Sequence, residues 1–111
     1  MNQDGLRFLG LAFSAGAVIT GEEQVIQAVR NKKVYLVIVA EDISPQTLKK
    51  VTDKCKFYGI PWIQKGTSEK LGHALGKGFR KIIGIADQNF AQALEKKINV
   101  VNTSTTIEKK R

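Results

Sequence analysis

The side chains that most often carry catalysis are few here and poorly placed for it. His73, the single histidine, lies between Leu71 and Leu75 in a helical pattern, with no cysteine or second histidine nearby. A metal site or a general base needs partners within reach, so His73 reads as a surface or packed imidazole. Cys55 falls on the apolar stripe of another helical pattern and reads as a small packing residue. Glu22-Glu23 and Glu41-Asp42 are paired carboxylates, a type that can share a proton or hold a cation. Glu23, however, is claimed by a helix cap, and Glu41-Asp42 closes an apolar strand. The run LGHALGKG over residues 71–78 has the glycines of a phosphate loop in the wrong context. It follows a helix and leads into a strand, and Gly76-Lys77-Gly78 lacks the hydroxyl that would hold magnesium. No catalytic centre, metal or cofactor is expected.

Two other stretches suit a polyanion. In Gly78-Phe79-Arg80-Lys81, one aromatic stands among Lys77, Arg80 and Lys81. Such a loop can stack on an unpaired base while its cations hold phosphates; the competing reading tucks Phe79 into the core. At Gly21 a helix begins, where free amides and the helix dipole favour an anion and a glycine lets another backbone approach. Gln24 and Gln27 share a face there, and their amides offer the donors and acceptors that base edges require. Glutamines on a helix are also commonly just solvated.

The elements that must position these residues alternate between helix and strand. Asp4 can cap a first helix in which Leu6, Leu9 and Phe13 share a face broadened by Phe8, Leu11 and Ala12, with Gly16 ending it. Ala17-Val18-Ile19 is a short strand candidate. Thr20 and Glu23 have capping-box spacing for a second helix reaching about Asn31 and burying Val25, Ala28 and Val29. Val34 to Ala40 is apolar on both faces and needs cover on both sides. Ser44-Pro45 opens a third helix with Leu48, Val51, Cys55 and Tyr58 inward, and Gly59 closes it. Trp62-Ile63-Gln64 is a strand, Thr67 or Ser68 caps a fourth helix, Lys81 to Ala86 is a strand, and Asp87 caps a last helix with Phe90, Ala91 and Leu94 inward. This alternation suits α/β layering with helices on both sides of one sheet. Residues 1–98 are expected to form one domain and residues 99–111 a mobile tail.

Length and charge fit that frame. A chain of 111 residues is long enough for one core without disulfides or metal. No apolar run approaches a membrane span, and the N-terminus lacks the features of a signal peptide. A lone cysteine fits a reducing cytoplasm. Residues 1–48 hold four basic and five acidic groups, whereas residues 49–111 hold fourteen and five. A basic half raises the prospect of nucleic acid, although cations also serve solubility.

The stretch GEEQVIQAVRNKKVYLVIVAED from Gly21 to Asp42, the Ser44-Pro45 helix start, Cys55 to Gly59-Ile60-Pro61 and LGHALG from Leu71 to Gly76 together carry a resemblance. Over roughly residues 6 to 94 the chain resembles the ribosomal L-seven-Ae and L-thirty-e family of kink-turn RNA-binding proteins. It is most similar to their bacterial single-domain branch. The resemblance implies a three-layer α-β-α sandwich with a mixed four-stranded sheet, and RNA binding without catalysis. Three elements are implied to grip the RNA: Gly21, Glu22, Glu23, Gln24 and Gln27 at guanine edges of sheared G·A pairs; Glu41, Asp42 and Ile43 after the central strand; and the loop Lys77 to Lys81, with Phe79 and Arg80, over an extruded nucleotide. Departures from the family's pattern fall at Thr20, Glu23, Gln24 and Gln27, where a basic residue, asparagine, glutamate and lysine are common. The implied partner is ribosomal or other kink-turn RNA bound by a cytoplasmic monomer, with ribosomal proteins or translation factors as further partners. Two alternatives share the fold: a protein-interaction module in ribosome assembly or translation, and a domain presenting RNA to a separate modifying enzyme.

Overall fold

A strand apolar on both faces has to be sandwiched, and the computed structural model, which describes residues 1–98, does this with five helices. In chain order the elements are α1 (Gln3–Ser14), β1 (Val18–Thr20), α2 (Glu22–Arg30), β2 (Leu36–Val39), α3 (Pro45–Tyr58), β3 (Trp62–Gln64), α4 (Ser68–Ala74), β4 (Ile82–Ile85) and α5 (Gln88–Lys97). The strands form one mixed sheet in the order β1-β4-β2-β3. β4 is antiparallel to both of its neighbours, while β2 and β3 are parallel. This is the three-layer α-β-α sandwich. The expected tail over residues 99–111 lies outside the described residues.

Alternation along the central strands divides the core in two. Leu36, Ile38 and Ala40 of the β2 segment, with Ile83 and Ile85 of β4, meet Leu9, Leu71, Leu75, Ala91 and Leu94 from α1, α4 and α5. Val37, Val39 and Ile82 point the other way, onto Val25, Val29, Val51 and Cys55 from α2 and α3. A one-residue slip would exchange the two sets, so burial on both sides fixes the register. Gly84 leaves room for Val34, because a Cβ there would lie 2.9 Å from Val34 Cγ1. Thirteen Val, Leu and Ile side chains among the described residues are at most 1% exposed, and their burial, at about 1.5–3 kcal/mol each, is the main force holding the layers together.

At α3, α4 and α5 the caps fall where the pattern places them. Ser44 Oγ accepts from the Thr47 amide ahead of Pro45, Gly59 adopts the left-handed conformation, and Asp87 accepts from the Phe90 amide. At the fourth helix, Thr67 is the cap, accepting from the Lys70 amide.

Three expectations are corrected. Asn2, not Asp4, caps α1, accepting from the Gly5 amide at 2.7 Å. The helix begins at Gln3, so Asp4 lies in its first turn. Leu11 is 58% exposed and does not broaden the buried face. Thr20 and Glu23 do not form a capping box: Gly21 is the cap residue and no side chain caps α2. Thr20 belongs to β1, paired with Ile83, and that pairing delays the helix by one residue.

Candidate nucleic-acid interface

The sheet brings the start of α2 beside the start of β4. Strand β1 delivers Thr20 opposite Ile83, and the Gly21 amide donates to the Ile82 carbonyl at 3.3 Å. The chain then reverses from strand into helix at Gly21, whose φ of 100° and ψ of 142° suit glycine alone. With no side chain capping α2, its first-turn amides remain open to an anion. The Gln24 side chain folds back over Gly21, and its Oε1 occupies the space a Cβ would need.

The loop after α4 reaches the same place. α4 is tied down at both ends. Asp42, just after β2, accepts from the Ser68 amide at 2.8 Å and from Ser68 Oγ at 2.7 Å. These bonds, aided by Lys81, hold its carboxyl below the usual aspartate range. Toward the far end the Lys77 amide donates to Gly72 O, and the loop then returns to the start of α4, where the Arg80 amide donates to Ser68 O at 3.0 Å. The loop lies so close to α4 that a Cβ on Gly72 would overlap the Gly78 carbonyl. Of the glycines of LGHALGKG, Gly72 therefore serves backbone packing and Gly76 a left-handed turn.

Between the two lies an open groove of about 480 Å³, lined by Thr20, Gly21, Glu22 and Gln24, by Thr47 of α3, and by Phe79, Arg80, Lys81 and Ile82. Phe79 is 67% exposed, so the core-packing alternative for it fails. Arg80 curls over the loop, its Nη1 donating to the Phe79 carbonyl at 3.0 Å. At the rim Lys50 Nζ lies 2.8 Å from Glu22 Oε2, which offsets one of the two carboxylates at the helix start.

The groove thus unites Gly21, Glu22, Gln24, Phe79 and Arg80. The remaining candidates sit outside its lining. Glu23 and Gln27 are exposed on α2, Gln27 on the turn beyond Gln24. Lys77 points toward α1, its ammonium 5.7 Å from the Phe13 ring centre. Ile43 is 8% exposed and packs in the core with α2 and α3, leaving only its backbone for a surface role. Thr47 and the Lys50–Glu22 pair escaped the sequence reading. Lys81 stood in the basic loop, but nothing local places Thr47 and Lys50 beside Gly21.

Chemistry of other kinds finds little support in the geometry. Burial pushes the Cys55 thiol up to about 12, leaving it a poor nucleophile. His73 is exposed on α4. Among the described residues no three His, Cys, Asp or Glu side chains gather as metal ligands, and no helix is long and apolar enough to cross a membrane.

Comparison with known proteins bears on the family and the fold. Residues 4–97 match the model of the ribosomal protein L7Ae/L30e/S12e/Gadd45 family. The RNA-binding protein YlxQ of Bacillus subtilis (strain 168) is 43% identical over 86 residues, covering 78% of this chain and 86% of that protein. A solved structure of a Bacillus halodurans C protein of unknown function superposes with a TM-score of 0.86 at 42% identity, covering 89% of this chain and all of the other. The Giardia lamblia 15.5kD RNA binding protein shares the fold with a TM-score of 0.75 at 21% identity, over 89% of this chain and 91% of its own.

Proposed function

The chain belongs to the ribosomal protein L7Ae/L30e/S12e/Gadd45 family, and from that premise we propose that it binds structured RNA in the groove between the start of α2 and the loop Lys77 to Lys81. The family assignment carries the non-enzymatic reading with it. The observation that supports the site best is the convergence of Gly21, Gln24, Phe79 and Arg80 on one groove from opposite ends of the sequence.

Each part of the groove has a distinct task. The uncapped α2 amides and the guanidinium of Arg80 hold phosphate or electron-rich base edges. Gln24 reads a base edge through its amide, where a good pairwise contact contributes about 1–3 kcal/mol of discrimination. The exposed ring of Phe79 stacks on an unpaired base. A kink-turn suits this combination because it offers non-Watson–Crick edges beside an extruded nucleotide. Lys50 keeps Glu22 from repelling the RNA backbone, which makes the acidic helix start compatible with a polyanion. The setting we propose is a ribosomal or other translation-linked RNA in the cytoplasm. Residues 1–98 act as the one binding domain.

A kink-turn titration at two salt concentrations tests this. Gln24→Ala/Arg80→Ala should weaken binding at least ten-fold. It should also reduce the slope of log affinity against log salt by about 0.7–0.9, the share of the single phosphate that Arg80 neutralises. Equal affinity of wild type and double variant would reject direct RNA contact at the groove.

A further inference from the structure

The groove does not end at its rim. Thr47 belongs to the first turn of α3, and beyond it one flank of that helix carries exposed Lys50, half-buried Lys54 and exposed Phe57 at offsets of three, seven and ten residues. Ten residues of α-helix advance about 15 Å, and these offsets keep the side chains on one side of the helix. Phe57 is 80% exposed, the most of any large apolar side chain described. Its ring packs edge-on against Tyr58 with centres 4.9 Å apart, which limits how it can turn. Lys50 is itself bonded to Glu22 at 2.8 Å, so the free cation nearest Phe57 along this flank is Lys54. The one carboxylate in α3, Asp53, is already bonded to Lys49 at 2.8 Å. A phenyl ring left in water among cations, with the local acid neutralised, is what a base stacking between phosphate contacts requires.

We infer that this flank of α3 is a second RNA contact, continuous with the groove, which takes a single-stranded segment flanking the structured element. Lys54 holds a phosphate and Phe57 stacks on a base. The inference rests on the groove reading for its starting point. Charge complementarity and continuity at Thr47 favour RNA over a protein partner.

The full chain is titrated with a kink-turn RNA alone and with the same RNA carrying an unpaired extension at its 5′ or its 3′ end. One extension should tighten binding by wild type at least five-fold. Phe57→Ala should abolish most of that gain, and Lys54→Ala should lower the salt slope for the extended RNA by about 0.7. Both variants should bind the bare RNA like wild type. The bare RNA reports on the groove alone and the gain from extension on α3 alone, so the two readings fail separately. No gain from either extension, or a gain unaffected by both substitutions, overturns the α3 contact and leaves Phe57 to a protein partner.

Discussion

Gly21 and Gln24 show how much a single backbone angle decides. The positive φ at Gly21 turns the strand into the helix, and the Gln24 side chain then folds over the cap. Gly21→Ala should destabilise the fold by about 1–3 kcal/mol, read from the denaturant midpoint, because the side chain is forced into a glycine-only conformation. Wild-type stability would show that α2 can start differently. Asp42 gives a pH signature at the same scale. Its pKa is lowered in the folded state, so its contribution is complete above the ordinary value of 3.8 and is lost as pH falls below it. Acid unfolding followed by circular dichroism should therefore find wild type losing stability more steeply than Asp42→Asn below about pH 4. Neither role was legible in the sequence. The T-x-x-E spacing at Thr20 pointed to a cap that strand pairing with β4 displaced, and Asp42 meets Ser68 across 26 positions.

At the scale of elements, local signals held at α3 and α5 and failed at α1 and α2, where Asn2 and Gly21 are the cap residues. Ser44-Pro45 and Gly59 bound α3, and Asp87 caps α5, because each acts on amides or carbonyls a few residues away. The groove needed more, since it depends on α2, α3 and the loop after α4 being brought together by the sheet. The sequence marked the α2 start and the basic loop separately. It was silent on Thr47, and on the Lys50–Glu22 pair that joins α3 to α2. The packing of α4 against its following loop gives this scale its test. Gly72→Ala should displace Gly78 and its neighbours, costing about 1–3 kcal/mol of stability. It should also lower RNA affinity by more than Gly76→Ala, which meets no neighbour although it carries its own left-handed strain. Unchanged affinity in Gly72→Ala would mean that the loop's position does not matter to binding.

For the molecule as a whole, the two-sided apolar strand VYLVIVA predicted the sandwich, and charge asymmetry predicted which end of the sequence would supply cations. The fold was therefore readable from pattern, and the family model covers nearly all of the described chain. Read from the residues alone the candidate surfaces were two separate stretches, which only the resemblance joined; the structure brings the helix start and the basic loop to one groove and leaves the Ile43 side chain in the core. The most direct measurement is the amide spectrum of the labelled protein during addition of a kink-turn RNA. The largest shifts should fall at Gly21, Glu22, Gln24, Thr47, Phe79, Arg80 and Lys81, with His73 and the outer face of α5 unmoved. Shifts confined to α1 and α5, with residues 21–24 and 79–81 unchanged at saturation, would contradict the groove as the RNA-binding site.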